Sequence, residues 1–278
     1  MRSIPKPTLK VSDVYKDSIS KVKNKGLRAR LLAILPDIEA AAKDFDIKAS
    51  ATQLHNISKQ TAVGSVTQKE LEAVYTGRMA KKDQPGRIHY NTLLLAAPHR
   101  HCPLCGQGRV STLDHHLPKE HYPALAVTPV NLIPACKDCN TVKRSKTPAR
   151  AEDETLHPFF DNVEDKEWLI AHVVADPAVI EYNVATQTEW SDLKNKRVAK
   201  HFTDFELQEM YASFSGHELQ NIRLGVSEAY SAGGADAAKE YLLEKERSYR
   251  HNHKNSWQAA MYKALANNTT YCSGGFNN

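Results

Sequence analysis

Four of the five cysteines form two Cys-X-X-Cys pairs, Cys102 with Cys105 and Cys136 with Cys139. Four thiolates in tetrahedral geometry make a closed zinc site, which leaves no open position for water and therefore stabilises the backbone without taking part in a reaction. Two disulfides are the alternative. The odd cysteine count and the lack of an apolar run of signal-peptide length after Met1 favour zinc and a reduced, cytoplasmic protein.

Side chains that could move a proton or bind a hard cation lie between the two pairs and directly after the second. They are Asp114, His115, His116, Asn131 and Asn140. A histidine with an ordinary pKa near 6.5 is largely neutral at pH 7 and can accept a proton. Carboxylate and amide oxygens favour Mg²⁺ or Mn²⁺ over a softer metal. The stretch therefore combines a predicted structural zinc site with a candidate base and candidate ligands for a second cation.

The order of these residues resembles the HNH nucleases, a family with a ββα-metal fold. Asp114 and His115 match the pair on the first strand of that fold. Asn131 matches its central asparagine, and Asn140 matches the last position, on the helix. The match covers residues 98–150, where the cysteine pairs and the HNH positions interleave in the order typical of the family.

The resemblance implies a hydrolysis of phosphodiester bonds in which each side chain has its own role. His115 would take the proton from the attacking water. Asp114 and Asn140 would bind Mg²⁺ or Mn²⁺, with water and phosphate oxygens completing the coordination. Asn131 would hold the loop between the strands through hydrogen bonds to the backbone.

Two further histidines leave alternatives open. Neighbouring residues of a strand point to opposite faces, so only one imidazole of His115 and His116 should reach the scissile phosphate. The resemblance selects His115, and packing beside the site is the preferred interpretation of His116. His157 either approaches the site from outside the ββα unit or caps a turn before Pro158, and the turn is preferred.

Cations follow the second cysteine pair. On a helix, Asn140 shares a face with the residues three and four positions later, so these side chains are predicted to meet phosphate. The candidate nucleic-acid contacts are Lys143, Arg144, Lys146 and Lys119. The net charge of +5 and the pI near 8.8 are compatible with a polyanionic substrate.

The flanking segments extend the resemblance to the HNH nucleases of bacterial anti-phage systems, in particular the Septu type and its retron-associated relatives. The segments that carry it are residues 4–7, 113–119, 131–134 and 157–161. This group implies an ABC/SMC-like ATPase partner and favours DNA as substrate. Two alternatives stay open: a zinc-knuckle nucleic-acid-binding or scaffold protein without activity, and an HNH ribonuclease that cuts RNA such as tRNA.

The rest of the chain predicts an α+β protein that is mainly helical. We expect an N-terminal helical region at 1–97, the zinc-stapled nuclease core at 98–150, and a mostly helical lobe with a short strand at 151–278. Apolar residues make up 41% of the chain, and no apolar run approaches the ~18 residues of a membrane span, so a soluble protein is expected.

Local signals place the main helices of the N-terminal region. Apolar spacing predicts helices near 11–22 and 27–38, with a break or kink at Pro36. Residues 49–66 are predicted to be a loop. The segment 67–70, Thr-Gln-Lys-Glu, matches a capping box and predicts the start of another helix.

In the C-terminal lobe, residues 178–184 alternate as a half-buried strand should. The helical pattern that follows is predicted to break at Gly233-Gly234. The polar tail at 267–278 is expected to be mobile, with Cys272 as a bystander.

Overall fold

The computed structural model describes residues 1–175 and 178–277. These residues are mainly helical and carry three small two-stranded sheets, which makes the fold α+β, as predicted. The chain divides into two compact units, Met1–Asn162 and Val163–Asn278.

The first unit begins with three helices whose ends follow from local sequence. They are α1 (Val11–Ile19), α2 (Lys25–Ala33) and α3 (Leu35–Ser50). The side chain of Asn24 accepts a hydrogen bond from the Leu27 N–H and so caps α2. The predicted break occurs at Ile34. Proline is tolerated only in the first turn of a helix, so Pro36 lies in the first turn of α3 and α2 has to end before it.

The segment predicted to be a loop after Ala49 holds more structure than expected. Helix α3 continues to Ser50, and two antiparallel two-residue strands follow, β1 (Ala62–Val63) and β2 (Val66–Thr67). Strands this short lack the alternating pattern that a sequence-based prediction requires. They lead into α4 (Gln68–Val74), whose capping box between Thr67 and Glu70 is present as predicted. The chain then continues through a π-helical turn (Tyr75–Met79) to α5 (Arg87–Leu94).

The region of the cysteine pairs contributes two antiparallel strands and a helix. They are β3 (Thr112–His115), β4 (Leu132–Ala135) and α6 (Lys137–Lys143). In the register, Asp114 faces Ile133 and His115 faces Leu132. Helix α6 packs against β3, so residues from both strand and helix can line one site.

One hydrophobic core joins the N-terminal helices to this region. It includes Val14 and Tyr15 of α1, Leu71 of α4, Leu113 of β3 and Leu132 of β4. The regions 1–97 and 98–150 thus belong to one unit, because the two short strands of the second have too little apolar surface to fold alone.

The second unit contains a hairpin and the remaining helices. They are β5 (Leu169–Val173), β6 (Ile180–Val184), α7 (Asp192–Asp204), α8 (Leu207–Asn252), α9 (Trp257–Asn267) and α10 (Thr269–Cys272). Strand β6 occupies the predicted position, whereas its partner β5 was not predicted. Helix α8 breaks at Gly233 and Gly234, which have non-helical backbone angles, as the sequence predicts.

The C-terminal tail differs from the prediction of a mobile segment. Tyr271, Cys272 and Phe276 are buried, and the Cys272 thiol donates a hydrogen bond to the Leu265 carbonyl at 3.4 Å. These three buried side chains anchor a segment whose overall composition is polar. Within the described ranges, no helix combines the length and the apolar character that crossing a membrane requires.

Candidate metal centre and candidate active site

The four paired cysteines form one buried cluster. The ligand atoms of Cys102, Cys105, Cys136 and Cys139 lie within 4.8 Å of one another, and none is in a disulfide. The Sγ atoms of Cys105 and Cys136 are 3.9 Å apart. Four sulfurs at the usual Zn–S length of ~2.3 Å would be about 3.8 Å apart in a tetrahedron. The donor set and its spacing therefore fit Zn²⁺.

Backbone groups shape this cluster as well as side chains. The N–H of Gly108 donates to Cys105 Sγ at 3.2 Å, and the N–H of Cys139 donates to Cys136 Sγ at 3.4 Å. A Cβ at residue 108 would lie 2.6 Å from the Cβ of Cys136, so only glycine lets the two halves approach this closely. The pKa of Cys105 is lowered by hydrogen bonds from the other thiols of the cluster, most of all by the one from Cys102. This favours the thiolate, the form of cysteine that binds metal.

The candidate base lies at the end of β3. The Nε2 atom of His115 is 2.8 Å from the carbonyl oxygen of Ala126. A carbonyl can only accept, so Nε2 carries the proton and Nδ1 is the unprotonated nitrogen of the neutral ring. Burial lowers the pKa of His115 to about 3, which keeps the ring neutral at pH 7. The imidazole also packs edge-on against the Tyr75 ring, with centroids 4.4 Å apart.

The neighbouring carboxylate is buried beside a lysine. Only 4% of Asp114 is exposed, and its Oδ2 lies 3.0 Å from Nζ of Lys143 on α6. That ammonium also donates to the carbonyl oxygen of His115. Burial raises the pKa of Asp114, and the ammonium of Lys143 opposes this rise. Within the described residues Oδ2 makes no hydrogen bond of standard geometry, so the ion pair is its main compensation.

Asn131 holds the loop between the two strands. Its Oδ1 accepts from the Leu117 N–H at 2.8 Å, and its Nδ2 donates to the carbonyls of Leu117 at 3.0 Å and Leu125 at 3.2 Å. The side chain is fully buried. The same loop contains Ala126, so the hydrogen bonds of Asn131 also position the carbonyl that orients His115.

The two further histidines pack against each other. The rings of His116 and His157 are 4.3 Å apart, and both are buried. The His157 ring donates from Nε2 to the Val130 carbonyl at 3.0 Å and accepts from the Phe159 N–H at 3.2 Å. Both ring nitrogens of His157 are thus used, Nδ1 within the turn and Nε2 by the distant Val130, which leaves no lone pair for a metal.

The predicted nucleic-acid contacts occupy different environments. Lys143, predicted to contact phosphate, is buried against Asp114. Lys119 contacts the carboxylate of its neighbour Glu120. Arg144 and Lys146 are exposed beyond the end of α6, and Asn140 is partly buried on that helix. The sequence predicts that Lys143 and Asn140 share a helix face. It does not predict that Lys143 is buried against Asp114, because this depends on how α6 packs on β3.

Comparison with known proteins finds one phage protein that is similar along the whole chain. Protein ea31 of Escherichia phage lambda is 25% identical over 296 aligned residues, which cover 99% of this chain and 100% of that protein. No protein-family model matches the chain, and no solved structure matches it. The similarity therefore includes both compact units and is not confined to the cysteine region.

Proposed function

We propose that this chain is a metal-dependent HNH endonuclease. The observation that carries the proposal is the orientation of His115, whose Nε2 is held by the Ala126 carbonyl while Nδ1 is left as a proton acceptor. His115 directly follows the buried Asp114 on β3, a strand that pairs with β4 and packs on α6. This combination supports the ββα-metal assignment that the sequence resemblance implies.

His115 is the proposed general base of the hydrolysis. Nδ1 of His115 accepts a proton from the attacking water, whose oxygen then forms a bond to phosphorus while the leaving oxygen departs. The edge-on contact with Tyr75 and the bond to Ala126 restrict the ring to one orientation. A neutral imidazole is required for this step, and the hydrogen bond from Nε2–H to the Ala126 carbonyl leaves Nδ1 as the accepting nitrogen.

Asp114 and Asn140 are the proposed ligands of a Mg²⁺ or Mn²⁺ ion. Asp114 offers a buried oxygen that makes no standard hydrogen bond within the described residues, which fits a hard cation. When bound, such an ion neutralises the charge that grows on the leaving oxygen. The ammonium of Lys143, 3.0 Å from Asp114, either supports the ligand or has to move when the ion binds.

The substrate and biological setting follow from the resemblance. We propose DNA as the favoured substrate, and a role as the effector of an anti-phage system that works with an ABC/SMC-like ATPase in the bacterial cytoplasm.

A cleavage assay on two substrates tests the proposal. Zinc-loaded protein is incubated with supercoiled plasmid or with tRNA, with Mg²⁺ or Mn²⁺ added or withheld, and with or without the product of the neighbouring gene. We expect cation-dependent cutting that His115→Ala abolishes and that His116→Ala, the matched control on the adjacent residue, retains. Zinc content measured afterwards shows that withholding the cation left the cysteine cluster intact. Absence of cutting in every condition contradicts the proposal.

The buried ion pair favours a second candidate function. A lysine that already neutralises Asp114 could replace the catalytic cation, which would make the chain a zinc-stapled nucleic-acid-binding protein without activity. That candidate predicts binding of nucleic acid with no cleavage and with no effect of Mg²⁺ or of His115→Ala. The same assay therefore separates the two functions.

A further inference from the structure

A long stretch of the first unit contains arginines and histidines but no carboxylate side chain. The thirty residues between Asp83 and Asp114 include three arginines and three histidines. Arg87 and His89 are engaged within the unit, because Arg87 donates to Asn91 and His89 contacts Asp17. The other four belong to the first cysteine loop, and we call them the knuckle patch: His99, Arg100, His101 and Arg109.

The cysteine loop presents these four residues together. His101 and Arg109 face each other in an antiparallel bridge, and the Val110 N–H donates to the Arg100 carbonyl at 2.8 Å. All four side chains are exposed. In the part of the chain that the structure describes, none of them is in an ion pair or a side-chain hydrogen bond. The patch is therefore an uncompensated cluster of donors on a rigid support.

The backbone of the patch is also unusual. His99 and Arg100 have φ values of 54° and 59°, the left-handed region that side chains other than glycine rarely adopt. Hydrogen bonds from the N–H of Arg100 to the Ala97 carbonyl and from the N–H of His101 to the Pro98 carbonyl hold this conformation. The structure thus maintains a costly conformation in which the side chains of His99 and Arg100 are both exposed.

Two of the four cations predicted from the HNH motif contrast with this patch. Lys143 is buried against Asp114, and Lys119 is neutralised by Glu120. A phosphate that approached either would compete with a carboxylate already in place. The guanidinium groups of Arg100 and Arg109 meet no such competitor within the described residues, and guanidinium binds phosphate through two parallel hydrogen bonds.

We propose that the knuckle patch binds the phosphate backbone of duplex DNA beside the cleaved bond. The inference rests on the proposed nuclease function and adds a substrate-positioning surface to it. Arg109 precedes Asp114 by five residues, and an extended chain covers about 3.3 Å per residue, so the two lie within ~17 Å. At ~3.4 Å per base pair, the contacted phosphates lie within about five base pairs of the scissile bond.

Salt-dependent binding tests the patch separately from catalysis. Two proteins are compared, the His115→Ala variant and the same variant with Arg100→Ser and Arg109→Ser added. The affinity of each for a 20-base-pair DNA duplex is measured across salt concentrations. Loss of two phosphate contacts should reduce the slope of log K against log salt by about 1.8 and weaken binding roughly thirtyfold at about 0.15 M salt. The matched control is Lys21→Ser with Lys23→Ser, two exposed lysines elsewhere in the unit.

Conservative variants separate charge from folding. Arg100→Lys with Arg109→Lys should keep most of the slope, and unchanged zinc content shows that the cysteine loop is intact. If the serine variant loses zinc, the single change Arg109→Gln replaces it, with an expected slope change of about 0.9. Equal slopes for wild type, patch variant and lysine control would overturn the proposal, and so would the absence of duplex binding by the parent protein.

Activity distinguishes failure of the patch from failure of the nuclease assignment. With His115 intact, the patch variant should show a raised KM and an unchanged kcat, because the patch positions substrate without touching the reacting atoms. If the patch variant cleaves DNA with an unaltered KM, the proposal for the patch is wrong and the nuclease proposal stands. If DNA binding depends on the patch but no condition gives cleavage, the DNA-binding surface is supported and the nuclease proposal is wrong.

Discussion

Two buried polar clusters adjoin the strand pair β3–β4, and they differ in what balances their charge. The cysteine cluster brings four sulfurs within 4.8 Å of one another, and we expect a bound metal ion to balance the charge of its thiolates. The other cluster contains Asp114 and its own cation, Lys143, 3.0 Å away. We therefore propose that metal is required for folding in the first cluster and for chemistry in the second.

Removing one zinc ligand should give the largest effect. Structural zinc contributes about 10–16 kcal/mol of apparent binding free energy in small zinc peptides, most of it coupled to folding. We expect Cys136→Ser to lose zinc and to abolish the cooperative thermal unfolding of the first unit. Zinc per chain by elemental analysis and thermal unfolding by circular dichroism measure the two effects.

Cys272→Ser is the matched control for this change. That cysteine is also buried, but it lies in the second unit and hydrogen-bonds to the Leu265 carbonyl. Its zinc content should equal that of the wild type. A Cys136→Ser protein that unfolds like the wild type would show that the cluster does not hold the fold together.

Breaking the ion pair tests the other side of the comparison. Lys143→Met leaves the buried carboxylate of Asp114 without its cation, which should cost about 4 kcal/mol of unfolding free energy. Because the competing ammonium is gone, Mg²⁺ or Mn²⁺ should raise the Tm of this variant more than that of the wild type. Denaturant unfolding and thermal shift with and without the cation measure both.

The double variant Asp114→Asn with Lys143→Met is the control. It removes both charges, so most of the lost stability should return and the cation should no longer raise the Tm. If divalent cations stabilise the single and double variants equally, Asp114 is not a ligand and the second candidate function gains support.

The sequence predicts these two clusters unequally well. Cys102, Cys105, Cys136 and Cys139 could be grouped from spacing alone, because a four-thiolate site is a short-range signal within two loops. The pairing of Lys143 with Asp114 could not, because it depends on the angle at which α6 crosses β3. The roles of the catalytic candidates remain predictions.

The fold shows the same division between local and long-range information. Thr67 and Glu70 form the predicted capping box, and Gly233-Gly234 interrupts a helix, because both features are determined by a few adjacent residues. Strand β5 was missed because its pairing with β6 depends on a partner across a turn. The buried tail was missed for a similar reason, since its anchors contact residues distant in sequence.

The loop that connects the strands links the two clusters, and Asn131 is its main support. Asn131→Ala removes three buried hydrogen bonds, which should cost about 3 kcal/mol. Activity should fall further than stability alone explains, because the Ala126 carbonyl that orients His115 belongs to the same loop.

Asn140→Ala is the comparison. No side-chain hydrogen bond of Asn140 is seen among the described residues, so activity should fall while stability stays within ~0.5 kcal/mol. Equal stability losses in both variants would contradict this assignment.

The smallest expected effect concerns the aromatic ring behind the candidate base. The hydroxyl of Tyr75 donates to the Leu113 carbonyl at 3.3 Å, and its ring packs on His115. Tyr75→Phe removes the hydrogen bond and keeps the ring, so the unfolding free energy should fall by about 1 kcal/mol and cleavage should stay within twofold.

Tyr15→Phe is the matched control, because Tyr15 donates a similar buried hydrogen bond to the Leu31 carbonyl at 3.1 Å. The two variants should lose similar stability. Tyr75→Ala, in contrast, removes the surface against which the imidazole packs, so kcat should fall well beyond the effect of Tyr75→Phe even at temperatures where the variant is fully folded. If Tyr75→Ala retains kcat when folded, the Ala126 carbonyl alone is sufficient to orient His115, and the aromatic ring belongs to the core and not to the site.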